Sequence, residues 1–136
     1  MVRVCIYVRS VVGVAVMVPF TWFMAPPAAA TDLPLGAPGL VRLLDVGPCP
    51  SGYLCMYRDG GLQGGGYGVR EGRDLNDFRG IDFNDEMSSW ANATASRYCW
   101  HSDINFSGAS RDMQVGVASN VSAADNDLAS SIENCR

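Results

Sequence analysis

The 136-residue sequence contains no lysine: its ten basic residues are all arginine, set against fourteen acidic residues and one histidine, His101. Arg3 and Arg9 fall in the first thirty residues, which hold no acidic side chain. The rest carries eight arginines against the fourteen acids, a charge of −6. An acidic surface argues against nucleic acid and anionic membrane as partners, because both need basic patches. Proline is missing after Pro50, which suits strands joined by glycine turns better than proline-held loops. Sustained helical periodicity is missing as well, and the length leaves room for one domain only.

The scarcity of catalytic groups is equally informative. His101-Ser102-Asp103 holds the three residue types of a hydrolase triad, but neighbouring strand residues alternate faces and cannot converge. Acid pairs such as Asp82 with Asp85, or Asp125 with Asp127, read as solvated loop carboxylates. The sequence does not read as an enzyme.

What is present begins with an address. Two arginines within Met1–Arg9, an apolar run to Ala25 and the small-residue site Ala28-Ala29-Ala30 predict a secretory signal peptide over residues 1–30. The mature chain would then start at Thr31, be secreted and extracellular, and keep no membrane attachment. Residues 31–48 hold three prolines, three glycines and one short apolar patch at 40–44. That composition predicts a flexible N-terminal arm.

Cys5 leaves with the signal, and Cys49, Cys55, Cys99 and Cys135 remain. An even count in an exported chain reads as two disulfides. Cys49 and Cys55 flank the tight Pro50-Ser51-Gly52 turn, which can bring their Cα atoms within bridging range. Cys99 then pairs with Cys135. A Cys/His metal site could draw only on His101 and has no paired C-x-x-C spacing.

An internal repeat organises residues 49–136. Cys55 to Gly64 aligns with Cys99 to Gly108, sharing Cys, Asp and the final Gly. Asn84-Asp85-x-x-Ser88-Ser89 aligns with Asn126-Asp127-x-x-Ser130-Ser131. The repeats cover about 53–94 and 97–136. Each reads as β: aromatic-rich runs at 53–57 and 97–101, glycine turns, second strands near 66–70 and 109–115, and later strands at 88–94 and 130–136. Residues 74–78 and 119–124 read as short helical turns or loops. Repeated hairpins with longer return connections describe two Greek keys packed as a sandwich, an all-β fold. Three N-glycosylation sequons begin at Asn92, Asn105 and Asn120.

The doubled N-D-x-x-S-S corners and the spacing before each hairpin glycine resemble the βγ-crystallin signature. The opening Cys49-Pro50-Ser51-Gly52-Tyr53-Leu54-Cys55-Met56-Tyr57 and the Ser130-Ser131-Ile132-x-x-Cys135 ending are similar to the secreted metalloproteinase inhibitors of streptomycete type. Leu62 and His101 depart from that pattern, standing where aromatic residues are usual.

The resemblance implies a monomeric inhibitor of extracellular metalloendopeptidases of thermolysin type. Such proteases favour a large apolar residue after the scissile bond. Trp100 after Cys99, and Met56 after Cys55, are therefore the expected protease-contacting positions. No cofactor is required, but the resemblance also implies calcium, with Asp85 and Ser88 in one corner and Asp127 and Ser130 in the other as side-chain ligands. Backbone carbonyls near Asp59-Gly60 and Asp103-Ile104, in each case from the opposite repeat, would accompany them as further hard oxygen donors. The competing reading is a non-inhibitory extracellular βγ-crystallin module, calcium-binding or purely structural.

Overall fold

A computed structural model describes residues 38–44 and 47–135. The expected signal peptide at 1–30, and residues 31–37 of the expected arm, lie outside the described residues. Among the described residues eight strands form: β1 (Leu40–Leu43), β2 (Tyr53–Asp59), β3 (Gln63–Arg70), β4 (Ser89–Asn92), β5 (Tyr98–Asp103), β6 (Ser107–Met113), β7 (Ala118–Asn120) and β8 (Ser131–Asn134). One 3₁₀ turn spans Phe78–Ile81, capped by the Asp77 carboxylate accepting from the Arg79 N–H at 2.9 Å.

The strands build two antiparallel sheets, one ordered β1-β3-β2-β4-β7 and the other β6-β5-β8. Each repeat contributes a hairpin and a final strand to its own sheet. The third strand of the second repeat crosses over: β7 pairs with β4 of the first, Ala91 lying opposite Ala118. The matching crossover of the first repeat shrinks to one bridge, Leu75 with Ile132, closed by two backbone hydrogen bonds of 2.9 Å. This is the double Greek key expected from the repeat.

Two features differ from the sequence reading. Residues 40–43 are a strand rather than part of a flexible arm. β1 pairs antiparallel with β3, Leu40 opposite Val69 and Leu43 opposite Gly66, and buries both leucines. Burying two leucines stabilises by roughly 3–6 kcal/mol before the entropy of ordering the strand is charged against it, which outweighs the loop-like composition around it. Residues 118–120 are a strand rather than a helical turn. Their side chains are all exposed, so backbone pairing with β4 alone defines the element.

The alternation of β2 and β5 places Leu54, Met56, Tyr98 and Trp100 between the sheets, with Tyr67, Phe78, Phe83, Met113 and Ile132. The opposite face of β2 carries a smaller cluster of Cys55, Tyr57, Leu43 and Ala91, against which Cys49 packs. Both expected disulfides are present, Cys49–Cys55 with Cα atoms 5.7 Å apart and Cys99–Cys135 at 5.6 Å. The first pins residues beside the smaller cluster. The second ties β5 to the chain just after β8.

Candidate functional site

The second serine of each N-D-x-x-S-S corner is a clasp for its own hairpin. Ser89 donates to the Asp59 carbonyl at 2.5 Å and accepts from the Leu62 N–H at 3.0 Å. Ser131 does the same for Asp103 at 2.6 Å and Phe106 at 3.1 Å. Both serines are fully buried, so these bonds satisfy groups that could not reach water. The fold-over also needs Gly64 and Gly108, at φ 76° and 77°. A Cβ there would lie 2.5 Å from the Asp59 or Asp103 carboxylate. The repeated Asp, Gly and Ser are thereby explained by one hairpin geometry used twice.

The aspartate and first serine of the corners face each other across the repeat boundary. Ser130 donates to Asp85 Oδ1 at 3.2 Å, and Ser88 donates to Asp127 Oδ1 at 3.3 Å. The hydrogen bonds therefore exchange partners relative to the expected groupings of Asp85 with Ser88 and Asp127 with Ser130: each bonded pair takes one residue from each repeat. The cause is the crossed backbone, in which the Asp85 N–H donates to the Ala129 carbonyl at 3.0 Å and the Asp127 N–H to the Met87 carbonyl at 3.3 Å. Both aspartates take left-handed backbone, φ 56° and 58°, a conformation Asp tolerates because its short side chain bonds locally.

Each carboxylate's other oxygen accepts from the asparagine before it, Asn84 or Asn126, at 2.7 Å. The buried Oδ1 of Asn84 takes no hydrogen bond from the described residues. Two oxygens 3.2–3.3 Å apart suit neighbouring ligands on Ca²⁺, whose bonds of about 2.4 Å at right angles span about 3.4 Å. The donor set, with one carboxylate and one hydroxyl in each half, fits a hard cation. Arg58 shares this surface with Asp85, Glu86 and Asp127. It pairs with Glu86, donates to the Asp82 carbonyl at 2.7 Å, and lies 5.3 Å over the Phe83 ring.

The positions expected to face a protease are buried in the free protein. Met56 is fully buried and Trp100 is 2% exposed, both in the core between the sheets. Cys99 points to the other face, where it is bridged and 9% exposed. Period-two alternation explains this, because a large apolar residue next to a bridged cysteine on a strand necessarily faces the opposite side. His101 is a buried strand residue whose Nε2 sits 3.1 Å from Glu133. The sulfurs of Cys99 and Cys135 lie close to Asp112 but are bonded to each other.

Asn92 reads in the sequence as a glycosylation sequon and as the repeat partner of Asn134, and the structure gives it a further role. It is 2% exposed. Its amide donates to the Ser96 and Met113 carbonyls at 2.9 and 2.8 Å, while its oxygen accepts from the Thr94 N–H and hydroxyl at 3.0 and 2.7 Å.

The architecture is that of a βγ-crystallin domain. A solved structure described as "Evolution of the eye lens beta-gamma-crystallin domain fold" matches with TM-score 0.60 at 20% identity, over 71% of this chain and 99% of that one. A βγ-crystallin from Ciona intestinalis matches with TM-score 0.52 at 21% identity, over 62% and 100%. A mutant βγ-crystallin domain from Clostridium beijerinckii matches with TM-score 0.50 at 16% identity, over 60% and 94%. No curated protein matches the chain. Residues 45–113 carry the sequence pattern of peptidase inhibitor family I36, and the chain belongs to that family. It is a peptidase inhibitor rather than an enzyme.

Proposed function

We propose that the protein is secreted through the signal at residues 1–30 and acts as a monomeric, tight-binding inhibitor of extracellular metalloendopeptidases of thermolysin type. The observation that carries this reading is the family match, joined to a small sandwich braced by two disulfides. Bracing reduces the freedom lost on binding, which favours a rigid inhibitor over a floppy substrate. Titrating thermolysin with the secreted protein tests the reading. Activity on a chromogenic peptide should fall linearly to zero near equimolar inhibitor. Undiminished activity at a large excess would remove the metalloendopeptidase from the proposal.

A second property is supported by the exchanged pairs: Asp85 with Ser130, and Asp127 with Ser88, would each grip one calcium ion. The positive charge of Arg58 beside both aspartates works against the cation, so binding is expected to be weak. Calcium would tie the two repeats together and serve stability rather than inhibition.

A further inference from the structure

The two hairpins are equivalent, yet among the described residues only one has its outer edge covered. With Gly64 aligned to Gly108, the registers agree: Met56 faces Tyr67 as Trp100 faces Arg111, and Leu54 faces Val69 as Tyr98 faces Met113. In the first repeat, β1 lies along the outside of β3, with Val41 opposite Gly68. The Arg70 N–H donates to the Gly39 carbonyl at 2.7 Å, so the even-numbered residues of β3 turn their backbone groups outward. Their equivalents in β6 are Ser110 and Asp112. The Ala109 N–H points the other way, to Ser102 Oγ at 2.9 Å, which confirms the alternation. β6 ends its sheet, and every residue from Ser107 to Asp112 is exposed.

Natural sheets protect such an edge with charged side chains, lysine above all, or with proline, a bulge or a covering segment, and of these β6 carries the exposed Asp112. β6 has neither lysine nor proline. Its one long cationic side chain is turned away from the edge: Arg111 lies 6.0 Å over the Trp100 ring and is held by Asp125 at 2.9 and 2.8 Å. The strand is also well anchored, since Asp112 lies opposite the bridged Cys99.

We infer that the open edge of β6 is the surface that meets the protease, pairing antiparallel through Ser110 and Asp112 with an extended strand of the protease cleft. The inference rests on the reading of the chain as a metalloendopeptidase inhibitor. β1 on β3 shows within this molecule that the equivalent edge of the first repeat accepts an extended strand, seated there over Gly66 and Gly68. Main-chain pairing recognises polypeptide backbone whatever its side chains, and a peptidase cleft presents such backbone because it binds polypeptides. A second copy of this chain is the weaker occupant, because two bodies that each carry a formal charge of −6 once residues 1–30 are removed repel.

The test uses Ser110→Pro, which removes one outward N–H and leaves the β5 ladder its donors, a strand setting where proline is tolerated. The melting temperature should stay near that of the parent. The inhibition constant for thermolysin should rise about tenfold to a hundredfold, the effect of one interfacial hydrogen bond lost and its acceptor stranded. Amide hydrogen exchange provides a second readout on the unsubstituted protein: Ser110 and Asp112 should become protected in the complex. This readout decides the matter if the proline variant does not fold. Unchanged inhibition by a folded Ser110→Pro, or unprotected amides in an inhibited complex, would overturn the edge assignment and leave the inhibitor reading standing. A parent protein that does not inhibit thermolysin would overturn both. A parent dimer that Ser110→Pro converts to monomer would give the edge to a second copy and overturn the protease assignment.

Discussion

The side-chain amide of Asn92, at the end of β4, donates to the carbonyl of Met113, at the end of β6, and so joins the two sheets by a buried 2.8 Å hydrogen bond. All four hydrogen-bonding sites of that amide are used. Asn92→Asp keeps the shape but removes both donors, leaving two carbonyls facing a carboxylate. The expected loss is about 2–4 kcal/mol, which lowers the melting temperature of a domain this size by about 10–25 °C. Thermal unfolding followed by circular dichroism checks it.

Trp100 is a core residue, and its substitution should behave as one. Trp100→Ala is expected to cost about 3–5 kcal/mol. Inhibition should be lost only in proportion to the unfolded fraction, and recover at temperatures where the variant is folded. Paired inhibition and melting curves measure this. A folded variant with no inhibitory activity would return Trp100 to the contact surface.

The two disulfides should differ in worth because they close loops of different length, 6 and 36 residues in separation. On the chain-entropy account, removing Cys99–Cys135 costs about 4 kcal/mol and removing Cys49–Cys55 about 2 kcal/mol. Denaturant unfolding of the two double serine variants gives both values.

Calcium should raise the melting temperature in proportion to the logarithm of its concentration once the sites fill. Because the proposed ligand pairs follow hydrogen bonds that cross between repeats, Asp85→Ala and Ser130→Ala should remove the same part of that response, and the double variant no more than either. Additive losses would return Ser130 to Asp127.

Asp125 is held below the usual carboxylate range by its bonds to the Arg111 guanidinium and the Ser122 hydroxyl. A depressed folded-state pKa stabilises above the unfolded value and is lost as pH falls through the folded one. The melting temperature should therefore drop below about pH 4. Asp125→Asn should start lower at neutral pH and show a smaller drop on acidification.

Much of this fold was legible because the repeat writes the same constraints twice. Asp59, Gly64 and Ser89, with Asp103, Gly108 and Ser131, announce one hairpin and its clasp. The cysteine pairing followed from the turn at 50–52. β1 escaped notice because four residues among glycines and prolines give too short a pattern, and their burial depends on β3. β7 escaped because Ala118, Ser119 and Asn120 bury no side chain. The crossing of Asp85 to Ser130 could not be read at all, since spacing along the chain reports neighbours within a repeat and not across the boundary. Trp100 is a different case: the alternation of β5 turns it inward, and a side-chain preference at a scissile bond carries no information on which face of a strand a residue takes.

The crossover of β7 has a consequence for how the molecule comes apart. Each half lends a segment to the other, so neither can complete its own sandwich when separated: β4 would lose its outer neighbour, and Ile132 its bridge to Leu75. The chain should consequently melt in a single transition, with calorimetric and van't Hoff enthalpies equal. Two fragments divided between Asn92 and Tyr98 should be unstructured apart and regain structure only when mixed.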